Sequence, residues 1–340
     1  MLGACNGDEA KNLDGGPGAD AALTDGQPAK DSLTADSAVT SCDPYAARAV
    51  APEIWVGPTN LEAKIVAKIK AAKQTVLVMM YQFTRYNIRD ALIDAHKRGI
   101  SVKVLLDGGQ AANTNVSKAF TAAGVPWKAT PTEFNHSHSK IVWIDGAEVI
   151  ILSGNFNSYT MNSERNYIAL NKDPQDLTQI KAIFDRDWKG SGGIDLKCSR
   201  LIVSPLNSRK LIEAHVKRAK KNLDLAVMYV SDKAVKTAVL DAKKAGINVR
   251  VLLAHPGWIS DNTATAAEFK AAGIPAKFLT TNELHAKLVV SDGVPLVGSH
   301  NMSYNSITNN REIGIFVNAP ASAKVIQDQF EADWKVGVTP

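Results

Sequence analysis

His138 and Lys140 stand two residues apart with Asp145 five further on, and the same H-x-K-x4-D spacing returns at His285, Lys287 and Asp292. These residue types suit chemistry at phosphorus. An imidazole can attack as a nucleophile or deliver a proton, and an ammonium steadies charge building on phosphoryl oxygens. In an extended chain, residues two apart project from one face, so each copy presents its His and Lys together. Each copy leads into a glycine-led turn ending in asparagine, Gly154-Asn155-Phe156-Asn157 and Gly298-Ser299-His300-Asn301. The amides of Asn157 and Asn301 are expected to donate to the phosphate beside the lysines. One such motif arises by chance at roughly the per-cent level in a chain of ordinary composition; two in register do not. One histidine would attack phosphorus while the other protonates the leaving oxygen. The positive charge comes from side chains, so the expected chemistry uses neither metal nor cofactor.

The elements that must position these residues are also written twice. Gly99-Ile100-Ser101-Val102-Lys103-Val104-Leu105-Leu106 is answered by Gly246-Ile247-Asn248-Val249-Arg250-Val251-Leu252-Leu253, and Asp187-Trp188-Lys189 by Asp333-Trp334-Lys335. The offset stays between 146 and 149, which marks a duplicated domain rather than a short-period solenoid. Within each copy, amphipathic helical patterns alternate with apolar runs such as Thr75–Met80, 102–106, Ile141–Ile144 and 149–152. That alternation predicts an α/β sheet with helices on its faces. Two copies related by a pseudo-twofold axis can build one site from both. Tyr81 and Tyr229 read as ordinary core aromatics, and Trp188 and Trp334 as staples holding the last helix of each copy. His300 falls near the site by sequence.

With both motifs and their turns in place, residues 45–336 resemble the phospholipase D superfamily, whose signature is the HKD motif followed by a Gly-Ser-x-Asn-type turn. The resemblance implies an α/β fold, a duplicated sandwich of two pseudo-twofold-related halves with one shared active site, and a covalent phosphohistidine. It makes His138 the nucleophile and His285 the general acid, with Lys140, Lys287, Asn157 and Asn301 on the phosphate. Asp145 and Asp292 resemble the motif carboxylates, expected to support the loops. Copy one departs from the pattern: Asn155 stands where copy two has Ser299, and eight residues separate Asp145 from Gly154. Family members often back the catalytic imidazole with a downstream acid. Copy two offers Glu312; aligning Arg165 with Arg311 sets Asn166 in that place in copy one, with Glu164 two residues earlier. A neutral Asn would stabilise an imidazolium less than a carboxylate does.

The rest of the chain sets the context. With 340 residues, 45% hydrophobic and 21% charged, composition excludes wholesale disorder, a collagen repeat and a disulfide-dense miniprotein. The net charge of +5 conceals an asymmetry: residues 1–41 carry −5 and the remainder about +10, a body suited to phosphate-bearing partners. Residues 6–41 are rich in Gly, Ala, Asp, Ser and Thr and predict a disordered leader. Leu2-Gly3-Ala4-Cys5 resembles the lipobox of bacterial lipoproteins, which would lipidate Cys5 and place the protein in the bacterial envelope, anchored or secreted. Cys42 and Cys198 then remain as either a disulfide or two separate thiols. The expected boundaries are a leader over 1–41 and halves over 42–195 and 196–340, in a monomer. The preferred substrate is a phospholipid head group, cleaved to phosphatidic acid at a membrane surface. A nuclease of the same superfamily and a catalytically decayed scaffold are the alternatives. Cardiolipin synthesis ranks behind hydrolysis because no apolar run reaches the length of a membrane span.

Overall fold

A computed structural model describes residues 42–340; the leader and Cys5 lie outside the described residues. Strands β1 (Glu53–Val56), β2 (Thr75–Met80), β3 (Ser101–Leu106), β4 (Trp127–Ala129), β5 (Ile141–Ile144), β6 (Glu148–Leu152), β7 (Glu164–Arg165) and β8 (Tyr167–Asn171) belong to copy one. They alternate with helices α1 (Leu61–Ala71), α2 (Tyr86–Lys97), α3 (Thr114–Ala122), α4 (Ser158–Asn162) and α5 (Pro174–Lys189). Copy two repeats the series with β9 (Leu201–Ser204), β10 (Asn222–Val227), β11 (Asn248–Ala254), β12 (Ala276–Leu279), β13 (Glu283–Leu284), β14 (Lys287–Ser291), β15 (Val294–Gly298) and β16 (Glu312–Phe316). Its helices are α6 (Ser208–Lys217), α7 (Lys233–Lys244), α8 (Asn262–Ala271), α9 (Tyr304–Thr308) and α10 (Pro320–Val336). Each copy forms a seven-stranded mixed sheet. The orders, β1-β8-β6-β5-β2-β3-β4 and β9-β16-β15-β14-β10-β11-β12, match strand for strand.

The apolar runs read as nearly continuous because these strands are covered on both faces. Along β2, Val76, Val78 and Met80 enter an outer cluster with Ile65, Ile69, Ile88 and Leu92 of the helices. Leu77 and Met79 enter a central cluster shared with Ala226, Leu252 and Leu288 of copy two. In β10 the same alternation sends Leu223, Leu225 and Val227 to the outer core of copy two. The period of two in the strands thus puts one residue set under helices and the other between the halves. Helices α5 and α10 contribute Ile180, Ile183, Phe184, Ile326 and Phe330 to that central core. The duplicated α/β sandwich follows, and it brings the start of β5 and the start of β14 to one place.

Trp188 does hold α5: it stacks on Phe184 and lies against Lys103 and Lys128. Trp334 repeats this with Phe330, Arg250 and Lys277. The segment before β1 is tied down by a Cys42–Cys198 disulfide, by Arg48 donating to the Cys198 carbonyl at 2.8 Å, and by Tyr45 against His215 and Phe316. Among the described residues, no helix is long and apolar enough to cross a membrane.

Candidate active site

His138 and Lys140 occupy an extended stretch just ahead of β5, not the strand itself, and His285 likewise precedes β14. Each stretch is fixed by the other half. The His138 amide donates to the Arg311 carbonyl at 2.9 Å and the His285 amide to the Arg165 carbonyl at 3.1 Å. Short parallel pairings across the halves set the register: Glu164 opposite Glu283 and Arg165 opposite Leu284, then Ser137 opposite Arg311.

This crossing decides which acid serves which imidazole. His138 Nδ1 lies 2.9 and 3.0 Å from the two carboxylate oxygens of Glu312. His285 Nδ1 lies 2.9 Å from Glu164 Oε2, an ion-pair contact with the ring turned off the line of an ideal hydrogen bond. Both histidines therefore have a carboxylate, each supplied by the opposite half. In copy one the acid at the imidazole is Glu164, which stands two residues before Asn166, the residue aligned with Glu312. Glu164-Arg165-Asn166 and Asn310-Arg311-Glu312 carry the same acid and amide in exchanged positions. In extended chain the outer two residues of each triplet share a face, so the exchange keeps both at the site. Glu164 takes hydrogen bonds from Thr160 Oγ1 (2.7 Å) and Asn166 Nδ2 (3.0 Å). Glu312 takes them from Ser306 Oγ (2.5 Å) and Asn310 Nδ2 (3.3 Å).

The middle arginines face the other way, into the core between the halves. Arg311 clasps Asp187 of α5 at 2.8 and 2.9 Å, and Arg165 clasps Asp333 of α10 at 2.8 and 3.1 Å. The matching Asp-Trp-Lys segments thus have a role beyond ending a helix: their acids anchor the strands that carry the site acids. The arginines were visible only as alignment marks, and no local signal ties them to acids more than 120 residues away.

Burial pushes the Glu164 and Glu312 carboxyls up. The charge and hydrogen bonds of His285, with Thr160 and Asn166, overcome this and hold Glu164 at about 2. His138, Lys140 and His300 do the same for Glu312, also at about 2. Burial lowers His285 below the usual imidazole range, with Lys287 and Lys140 acting the same way against the pull of Glu164. Lys140 Nζ donates to the His138 carbonyl at 2.6 Å, and Lys287 Nζ to the His285 carbonyl at 2.8 Å. Both ammoniums are almost fully buried. Lys287 also reaches the Ser153 carbonyl at 3.3 Å, so an ammonium of copy two touches the turn of copy one.

The turns require a second correction. Helices α4 and α9 are capped by Asn157 and Ser303, whose side chains accept from Thr160 and Ser306 amides. Asn157 is thus the counterpart of Ser303, a helix cap at the rim, and not of Asn301. The counterpart of Asn301 is Asn155, and each is 2% exposed. Ser153 and Ser299 likewise correspond. Each hydroxyl accepts the amide of the following strand, from Tyr167 at 3.0 Å and Ile313 at 3.1 Å. Asn155 therefore does not replace a serine: the hairpin after β5 is one residue longer than its counterpart, and glycine leads the two turns from different positions. Gly154 matches His300. A Cβ at Gly154 would stand 2.8 Å from Asn166 Nδ2, whereas Gly314 opens room for the His300 ring. His300 is buried, with neither ring nitrogen hydrogen-bonded to protein, and burial lowers it to about 4.

Asp145 and Asp292 stand at the far ends of their strands, on the order of 20 Å from the histidines by strand rise. Each sits in left-handed conformation, φ 54° and 46°. Asp145 accepts the amides of Lys73, Gln74 and Thr75, and Asp292 those of Lys220, Lys221 and Asn222, all at 2.7–2.9 Å. Both carboxylates thus bind the backbone amides that lead into β2 and β10. Burial opposes their ionisation, but these amides hold both carboxyls below the ordinary range.

Two aromatics that the sequence left in the background touch the histidines. Tyr81 meets His138 edge-on at 4.6 Å, and Trp258 lies 5.8 Å from His285. Tyr81 is no ordinary core residue: its hydroxyl accepts from Gln110, which accepts from Gln82, which accepts from Asn157. The corresponding positions in copy two are Met228, Tyr229, Ile259 and Ser303, fixed by Asn113 and Asn262 bonding the Tyr81 and Met228 carbonyls alike. The chain of amides in copy one thus gives way to Met, Tyr, Ile and Ser at the matching positions of copy two. Among the described residues, no group of three or more His, Cys, Asp or Glu side chains is placed to hold a metal ion.

A family model described as "Cardiolipin synthase, PLD-like domain" matches residues 65–188 and again 212–334. The cardiolipin synthase of Clostridium perfringens is 23% identical over 84% of this chain and 70% of its own length. The crystal structure of a polyphosphate kinase from Porphyromonas gingivalis superposes with a TM-score of 0.68 at 17% identity, covering 84% of this chain and 47% of that one. The phosphatidylserine synthase structure from Haemophilus influenzae gives 0.66 at 13% identity, over 85% and 87%.

Proposed function

We propose, from the premise that this chain belongs to the phospholipase D superfamily, that it breaks phospholipid head-group phosphodiesters through a covalent phosphohistidine. That it is an enzyme acting on phosphoric diesters follows from the family. The observation that carries the mechanism is the pair of crossed carboxylate–imidazole contacts, Glu312–His138 and Glu164–His285. With each Nδ1 committed to a carboxylate, chemistry falls to Nε2.

In this reading His138 Nε2 attacks phosphorus as the bond to the head-group oxygen breaks, and His285 gives that oxygen its proton. Water then attacks phosphorus, passing a proton to His285 while the P–N bond breaks, and phosphatidic acid leaves. Burial lowers His285; a bound phosphodiester anion raises its proton affinity and suits it to donate. Lys140, Lys287, Asn155 and Asn301 hold the phosphoryl oxygens, where fixed donors meet developing charge. Glu164 and Glu312 position the rings.

Transfer of the phosphatidyl group to an alcohol in place of water is the second reading, favoured by the relatedness to a cardiolipin synthase. The disulfide suits an oxidising envelope compartment, where lipidation at Cys5 would hold the protein beside its substrate.

The test incubates the full chain in EDTA with mixed phospholipid vesicles, with and without an alcohol acceptor, and in parallel with plasmid and single-stranded DNA. Phosphatidic acid, or the transphosphatidylated product, should appear and vanish in His138→Ala. DNA cleavage beside untouched lipid would replace the substrate with nucleic acid, and inertness toward all three would favour a scaffold. An aryl phosphodiester, whose leaving group needs no proton, assigns the roles. His285→Ala should still give a burst of aryl alcohol and a trapped phosphoenzyme, and His138→Ala should give neither.

A further inference from the structure

Among the described residues three tyrosines are exposed, Tyr86, Tyr159 and Tyr304, at 59%, 46% and 63%. All three follow directly from segments that build the site. β2 runs into Tyr81 against His138, and α2 then begins at Tyr86. The turn bearing Asn155 leads into α4 with Tyr159, and the turn bearing Asn301 leads into α9 at Tyr304. The amides of Thr84 and Arg85 donate to the Phe156 carbonyl at 2.7 and 3.0 Å, placing Tyr86 and Tyr159 along one rim. Across the twofold, the Ser204 and Ser208 hydroxyls donate to the Ile307 carbonyl. This sets exposed Leu206 beside α9 and Tyr304.

Core packing does not explain three exposed tyrosines that each follow a segment building the site. Tyrosine carries an apolar ring with a polar tip, which suits the boundary between hydrocarbon and water. Arginine accompanies two of the rings: Arg89 lies 4.6 Å from the Tyr86 centroid and Arg209 5.7 Å from that of Tyr304. The folded body carries a net charge of about +10, complementary to an anionic leaflet. A substrate held in a bilayer requires the site to meet that surface, and the exposed tyrosines follow site-bearing segments of both halves.

We infer that Tyr86, Tyr159, Leu206 and Tyr304 form a rim that seats the mouth of the site on an anionic lipid bilayer. The inference rests on the phospholipid reading of the site. Exposed rings could instead stack on the bases of a single strand, and the same experiment separates the two.

Binding is read by co-sedimentation with phosphatidylcholine vesicles, with and without phosphatidylglycerol, using the full chain carrying His138→Ala to prevent turnover. Replacing the three tyrosines by serine in that background should lower vesicle partitioning about tenfold or more, and replacing them by tryptophan should preserve or raise it. If the triple serine chain fails to fold, the three single variants are compared, and each should weaken binding. Serine variants that bind vesicles like their parent overturn the rim. Loss of single-stranded DNA binding with vesicle binding intact also overturns it and assigns the tyrosines to bases. Rim-dependent vesicle binding without lipid turnover by the unsubstituted chain would sink the substrate reading alone; lipid turnover with rim-independent binding would sink the rim alone.

Discussion

Glu164 Oε2 lies 2.9 Å from His285 Nδ1, so the acid that steadies the imidazole of one half is supplied by the other. Glu312 does the same for His138 in the reverse direction. Neither half holds a complete carboxylate–imidazole pair, and the site exists only when the two are docked.

The crossed pairs should behave alike on substitution. Glu164→Gln and Glu312→Gln keep the shape of the side chain and remove the charge, and each should lower kcat by about 100-fold. In Glu164→Gln the alkaline limb of the pH–rate profile should move to lower pH, because the His285 imidazolium beside an amide loses the proton it must deliver more readily, and in Glu312→Gln the acid limb should move to lower pH for the same reason at the His138 nucleophile. Unchanged profiles in both variants would remove the positioning role.

The two turn asparagines should separate. Asn155→Ala removes a buried amide at the proposed phosphate position and should lower kcat/KM by about 10- to 100-fold. Asn157→Ala removes the cap of α4 and should instead cost about 1 kcal/mol of stability. Steady-state kinetics and urea unfolding on both variants check this. Equal kinetic damage from the two would restore Asn157 to the phosphate.

Acid should loosen the fold at two stages. His215 and His300 are held by burial at about 3 and about 4, below the unfolded value of 6.5. The unfolded chain therefore takes up protons first, and stability falls as pH drops below about 6.5. At pH 5 each histidine costs about 2 kcal/mol. Glu164 and Glu312, held at about 2 against an ordinary 4.5, add a further loss as pH falls through that lower range. Urea unfolding at pH 7.5 and 5.0 should show the first stage, and His215→Phe should shrink the difference. A difference unaltered by that substitution would count against the His215 contribution.

The clasp between Arg311 and Asp187 is almost wholly buried and crosses from one half to the other. Asp187→Leu leaves an uncompensated guanidinium and should destabilise the protein by about 3–5 kcal/mol. Because Arg311 sits between Asn310 and Glu312, activity under folding conditions should fall as well. The double variant Asp187→Leu/Arg311→Met should recover most of the stability but not necessarily the alignment of Glu312. Denaturant titration of the three chains measures it.

Spacing in the sequence determined the duplication, the strands of each copy and the two His-x-Lys pairs. These depend on periodicities of two and 3.6 and on a constant offset, all of which are local or translational. The alternation that sends Leu77 inward and Val78 outward is one such case. Partners across the twofold axis were a different matter. Glu164 was noticed only as a neighbour of the position aligned with Glu312, since no local pattern says that it serves His285. Asn155 falls at the serine position in sequence because a one-residue difference between hairpins shifts the turns, while the hydrogen bonds of Ser153 and Ser299 keep them aligned in space. Tyr81 looked like core, because its contact with His138 forms only when β2 and the start of β5 meet. Local periodicity fixed what each half would be; the packing of one half on the other decided which side chains share the site, because every one of those contacts spans a distance in sequence that no residue pattern encodes.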